Sequence, residues 1–226
     1  MTLLTVDSDS KTPKGKRYGY LTGVLYLAPA SLSGKNLCPG SSAGCRAACL
    51  YSAGRARIFQ SINEARLKRS KLFLENREAF MVQLMGEISK LEVSARKKGL
   101  KPAVRLGGTS DIDWTTIQIF GKTVFEHFPK VRFYDYSKVA RRFWANRFKN
   151  YHLTFSLSEN NEKSARNLLD SGFNVAVVFH KKPKTFMGKR VIDGDLHDLR
   201  FLDKKGVIVG LKAKGKARKD TTNFVK

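Results

Sequence analysis

Three cysteines, Cys38, Cys45 and Cys49, fall inside one stretch, residues 36–57 (NLCPGSSAGCRAACLYSAGRAR), spaced C-x6-C-x3-C, and the chain has no others. Thiolates are soft ligands, and three brought together invite an iron–sulfur cluster or zinc. Between the first two lie only small or turn-forming residues: Pro39, Gly40, Ser41, Ser42, Ala43 and Gly44. Such a loop folds tightly over a metal centre and turns backbone N–H groups toward sulfur. Arg46, Arg55 and Arg57 favour thiolates or an anionic cluster. The expected metal ligands are therefore Cys38, Cys45 and Cys49, and the expected cofactor is a [4Fe–4S] cluster. Zinc is the alternative. It needs a fourth ligand, which one of His127, His152, His180 or His197 would supply to make a Cys3His set, although none lies near the loop in sequence. A Cys45–Cys49 bridge or three inert thiols is the plainer reading, and the odd cysteine count argues against it.

Charge is the second signal. The 226 residues carry 43 Lys and Arg against 19 Asp and Glu, a net charge of +24, with an isoelectric point near 10.2. An excess of this size makes a field that attracts polyanions, so nucleic acid is the expected partner, DNA or RNA undetermined. The densest run is KAKGKARK, and it reads as a basic C-terminal segment able to contact phosphates through Lys212, Lys214, Lys216 and Arg218. Lys138, Arg141 and Arg142 are the internal phosphate-binding candidates. No apolar run reaches membrane-spanning length, and the first residues lack the layout of a signal peptide. The expectation is a cytoplasmic protein with no membrane partner, in which clustered cysteines serve as ligands rather than disulfides.

These residues have to be positioned by regular elements, and the pattern names them. Residues 17–30 (RYGYLTGVLYLAPA) read as a first strand or hairpin ended by Pro29. The cysteine loop follows directly. Two helices come next, the second with Phe80, Leu84, Ile88 and Leu91 at steps of four and three and Gly99 at its close. Strands then alternate with helices: PAVRLGG, a helix over WTTIQIFGKTVFEHF, KVRFYDYS, a basic helix over KVARRFWANRF, YHLTFSLSE, a helix over NEKSARNLLDSG, FNVAVVFH, and finally KGVIVGLKA. Six short apolar strands with helical crossovers imply an α/β fold whose strands are mostly parallel. The expected organisation is a flexible segment 1–16, one domain over 17–213, and a basic tail 214–226. Chemistry in such folds gathers at the C-terminal strand ends. Reading those ends collects the cysteine loop, Gly107–Asp111 (GGTSD), Asp135–Ser137, 156–160, His180 and 212–214.

A first strand, a three-cysteine loop and then alternating β and α units resembles the partial (β/α)6 barrel of the radical S-adenosylmethionine (SAM) proteins. The spacing departs from the usual C-x3-C-x2-C. It is closer to radical-SAM-like proteins of an uncharacterised bacteriophage family, which the phrases RLGGTSDIDW, FYDYSK, LTFSLSEN and GVIVGLKAKG also resemble. The resemblance implies a cluster on the three cysteines with one iron open to SAM, and expression in a host cytoplasm. It makes Gly107, Gly108, Thr109 and Asp111 the cofactor-binding candidates. Gly107 and Gly108 match the family's Gly-Gly-Glu segment, Thr109 stands where the acid should be, and Asp111 is the nearby substitute. Three functions follow: a phage-type iron–sulfur protein that binds nucleic acid, an active radical SAM enzyme, or a nucleic-acid-binding protein stapled by zinc.

Overall fold

The computed structural model describes residues 1–6 and 12–226. Among the described residues there are eleven strands: β1 Leu4–Val6, β2 Tyr20–Leu25, β3 Lys101–Arg105, β4 Gln118–Ile119, β5 Lys122–Thr123, β6 Arg132–Ser137, β7 Tyr151–Ser156, β8 Val175–Phe179, β9 Thr185–Phe186, β10 Lys189–Asp193 and β11 Ile208–Lys212. The helices are α1 Thr12–Gly15, α2 Ala43–Ala47, α3 Arg55–Ile58, α4 Gln60–Glu75, α5 Arg77–Lys97, α6 Val124–His127, α7 Arg141–Ala145 and α8 Glu162–Asp170. Nine strands make one open sheet in the order β1-β2-β3-β6-β7-β8-β11-β10-β9, and β4 and β5 form a separate hairpin. The six strands expected from the sequence are its centre, all parallel and side by side in chain order. The fold is thus mixed α/β around a large, mostly parallel sheet that does not close.

The sheet has two unlike faces. Leu21, Leu25, Val104, Phe133, Leu153, Phe155, Val175, Val177 and Ile208 join the main core on the side covered by α5 and α8. The predicted stripe of α5 meets them, with Phe80, Leu84 and Ile88 fully buried. Burial of each contributes about 1.5–3 kcal/mol relative to exposure. The opposite face carries Tyr20, Ala103 and Tyr134, packed under Leu199 and Phe201. That face is polar: Arg105 pairs with Asp198 at 2.8 Å, and Asp198 also accepts hydrogen bonds from the Tyr134 and Tyr136 hydroxyls. Arg200 is fully buried beside it, donates to the His197 carbonyl and forms an ion pair with Asp203. The chain's own residues therefore fill the face opposite α5.

Several local expectations change. Residues 114–128 were predicted helical, yet they form a short 3-10 turn, the β4–β5 hairpin and α6. Phe120 and Gly121 both have positive φ, 50° and 74°, the geometry of a type I′ hairpin turn that no helix contains. The basic helix shrinks to α7, because Asn146 accepts from the Phe148 N–H and donates to the Tyr151 carbonyl, turning the chain out of the helix. The segment predicted flexible over 1–16 is tied down where it is described. Strand β1 pairs antiparallel with β2, Leu3 is buried, and Glu87 of α5 accepts the Leu3 and Leu4 N–H groups. The remainder of that segment, 7–11, lies outside the described residues. The predicted tail 214–226 is likewise packed. Ala217, Phe224 and Val225 bury against Ala48 and Ala213, and Lys226 donates to the Val178 carbonyl while accepting from the His180 N–H.

Candidate functional site

The cysteine loop sits across the C-terminal ends of the strands, held by residues that follow three of them. Leu37 accepts the Asp111 N–H beyond β3. Gly40 lies so close to Lys138, just past β6, that a Cβ there would stand 2.9 Å from the lysine Cβ. Beyond β7, Glu159 accepts from the Ser42 hydroxyl and the Gly44 N–H, each at 2.7 Å, while Ser42 caps α2 by accepting from the Cys45 N–H. Burial works against the Glu159 charge, but the bonds from Ser42 and Gly44 hold its carboxyl below the ordinary range. Gly44 meets Thr222 and Phe224 where a Cβ would go, so the C-terminal segment closes the loop from outside. Glu159 was not singled out from the sequence. The available signal was an acid at a strand end in so basic a chain.

All three thiols are partly exposed and unbridged. Cys38 Sγ accepts from the Ala30 N–H at 3.3 Å and donates to the Thr109 carbonyl at 3.7 Å. Cys49 Sγ accepts from the Tyr51 N–H at 3.5 Å. Burial pushes the Cys38 thiol up to about 11, opposed by the Ala30 N–H and reinforced by Asp111, Cys49 and Cys45. Burial also raises Cys49, with Cys45 adding to it and Arg66 and Lys138 opposing it. The three sulfurs are thus electrostatic neighbours. Among the described residues no group of three or more His, Cys, Asp or Glu is placed to hold a metal ion. A single tetrahedral zinc draws its sulfurs together on one ion. A cluster instead places each thiolate on its own iron, which asks for three separated sulfurs, N–H···S bonds and nearby cations.

The GGTSD segment is already engaged. Gly107 donates to Asp135 at 2.5 Å and Gly108 to the Leu25 carbonyl at 3.0 Å. A Cβ on Gly108 would strike the Tyr26 ring and the Leu25 carbonyl, and one on Gly107 would strike Ser110 and Asp135. The two glycines are required by packing. Thr109 donates its hydroxyl to the Leu27 carbonyl. Asp111 accepts from the Lys138 N–H and from Arg142 at 2.6 Å. Beneath them Asp135 is pushed up to about 7 by burial, against the Gly107 N–H, Arg105 and the Tyr151 hydroxyl.

The seven predicted phosphate contacts separate into two kinds. Arg142 is buried and bound to Asp111 and Asp113, so it serves the fold and does not reach a phosphate. Lys138 donates to Ser156 and lies over the Phe224 ring, next to the cysteines. Lys214 pairs with Asp195, which also accepts the Lys212 N–H. Burial would raise Asp195, yet those bonds hold it at about 2. Arg141, Lys212, Lys216 and Arg218 are exposed. A cavity of about 400 Å³ opens beside the loop, lined by Tyr51, Ala56, Arg57, Asn63, Gly215, Lys216 and Lys219. Of these, the sequence names Arg57 as a cation beside the thiols and Lys216 as a phosphate contact in the basic run that also holds Lys219, but nothing local shows that the run folds back to residue 51.

A family model described as Gene product 88 matches residues 2–226. The chain belongs to that family. The Gene product 88 family is of the phage gene-product type, the broader part of what the quoted phrases resembled. No curated protein and no solved structure matches the chain. No helix among the described residues is long and apolar enough to cross a membrane.

Proposed function

We propose that this Gene product 88 protein is an iron–sulfur protein on a radical-SAM-like partial barrel, and that its basic surface associates with nucleic acid. The observation that carries the proposal is the grouping of Cys38, Cys45 and Cys49 over the C-terminal strand ends, two of them already accepting backbone N–H bonds. The run of six parallel strands in chain order supports the barrel reading. A [4Fe–4S] cluster on three thiolates supplies an iron open to an outside ligand. The protein's part is to hold the three thiolates, to place Arg66 and Lys138 against the anionic charge, and to fix α2 through Glu159.

The radical SAM enzyme is the weaker reading on two observations. Thr109 and Asp111, which would take the place of the SAM-binding acid, are committed to Leu27 and Arg142. The sheet face that would enclose a substrate is filled by Leu199 and Phe201 and by the Arg105–Asp198 pair. The zinc reading needs a fourth ligand, and no histidine lies near the loop in sequence. Anaerobic reconstitution with ferrous iron and sulfide tests the ligand assignment. The wild type is expected to acquire the absorption of a cluster and Cys45→Ala to acquire none. Full iron and sulfide retention by Cys45→Ala would overturn the assignment.

A further inference from the structure

The cavity beside the cysteine loop has a composition that the cluster does not use. Its charged lining is Arg57, Lys216 and Lys219, with no acid among the seven residues. Tyr51 contributes an aromatic surface and Asn63 an amide. The Asn63 amide is fixed by its bonds to the Ala56 carbonyl and from Arg66. Arg66 stands behind this wall, its guanidinium 5.5 Å from the Tyr51 ring centroid. It is buried, and its Nε has no hydrogen-bond partner. The two lysines are not on a loose tail. Ala217 between them is buried with Ala48, Phe224 and Val225, which fixes the 3-10 turn Gly215–Lys219 and lowers the ordering cost of binding.

We propose that this cavity is a subsite for one nucleotide of a single-stranded nucleic acid, its phosphate held by Arg57, Lys216 and Lys219 and its base laid against Tyr51. The inference rests on the nucleic-acid reading above and gives it a place. About 400 Å³ falls at the lower end of the range for small-ligand pockets, enough for a nucleotide and too little for a duplex. Cations beside an aromatic surface are the recurring arrangement for single strands, whose bases are free to stack. Tyr51 lies two residues from Cys49 in the chain, so a bound strand would run past the cysteine loop.

Fluorescence anisotropy with a labelled single-stranded oligonucleotide tests this, using the full chain and a salt series. Each phosphate contact contributes about 0.7 to the logarithmic salt slope of a single strand. Lys216→Ala/Lys219→Ala, which together hold the one phosphate, should therefore flatten the slope by about 0.7 and weaken binding about fivefold at 0.1 M salt. Tyr51→Ala should cost about tenfold, with Tyr51→Phe near wild type. The control is Lys130→Ala/Lys149→Ala, at a separate groove lined by Pro129, Lys130, Val131, Arg132, Lys149 and Asn150. It should change binding far less. Equal losses in both double variants would overturn the subsite while leaving the nucleic-acid reading intact. A mononucleotide that displaces the strand at equal concentration would overturn the strand as ligand. A wild type that binds no oligonucleotide would overturn the nucleic-acid reading itself.

Discussion

Replacing Glu159 with alanine removes the clamp that holds the cysteine loop to the sheet. The carboxylate accepts two bonds at 2.7 Å, from the Ser42 hydroxyl and the Gly44 N–H. Bonds to a charged group contribute about 1.5–3 kcal/mol each when well shielded. Glu159 is only partly buried, so the pair is discounted to about 2 kcal/mol in total. That energy acts on local opening of α2 more than on the sheet, because the loop crosses the strand ends without belonging to a strand. A local loss of about 2 kcal/mol raises the open population about 30-fold. The assay is alkylation of Cys45 by iodoacetamide at neutral pH, read by mass spectrometry. Glu159→Ala should label about 30-fold faster, and Glu159→Gln should fall between it and the wild type. The acid side gives a second reading. A carboxyl held below its ordinary 4.5 contributes stability that is present above that value and is lost as pH falls through the folded one. The gap in melting temperature between wild type and Glu159→Gln should therefore close in acid. Labelling of Glu159→Ala at the wild-type rate would refute the clamp.

Four further outcomes are expected. Gly108→Ala should destabilise by about 1–3 kcal/mol in urea unfolding, since its Cβ would press on the Tyr26 ring and on the immobile Leu25 carbonyl; an unchanged midpoint would contradict the packing account. Asp198→Ala leaves Arg105 buried without its 2.8 Å partner and should cost about 3–5 kcal/mol, well beyond the loss from Asp170→Ala, whose contact with Lys189 is exposed. Asp135 binds its proton more tightly folded, at about 7, than at its ordinary 3.8, so stability should fall as pH rises from about 4 to 7 and level off above; Asp135→Asn should erase that slope, and an unchanged slope would show that another group is responsible. Phe224→Ala should loosen the segment that covers Gly44 and Ala48, read as faster hydrogen exchange at Lys226, whose N–H bonds to Val178.

The parallel centre of the fold was legible because its signal is local. Runs such as FNVAVVFH, apolar on both faces, are what a strand buried between layers requires, and Phe80, Leu84, Ile88 and Leu91 declare a helix face by spacing alone. The failures were tertiary. The apolar residues of 114–128 fit a helical period, and only the positive φ of Phe120 and Gly121 shows the chain turning back as a hairpin. Lys212–Lys219 reads as a basic tail because the charges outnumber the two alanines, Ala213 and Ala217, that bury it. The cysteine loop was recognised from composition and spacing. Its supports were not, since Glu159, Lys138 and Thr222 are far away in sequence: parallel strands deliver Lys138 and Glu159 to one edge, and the C-terminal segment folds back to bring Thr222. Arg142 shows the converse: a basic residue in a basic helix looks like a phosphate contact until Asp111 and Asp113 are found against it.

The most direct test of the cluster is to isolate the protein anaerobically and measure iron, acid-labile sulfide and zinc per chain, with an EPR spectrum of the reduced sample recorded with and without SAM. The account predicts about four iron and four sulfide per chain and a signal that SAM does not change, because Thr109 and Asp111 are already committed. Zinc without sulfide, or a metal-free chain that reconstitution leaves empty, would contradict it.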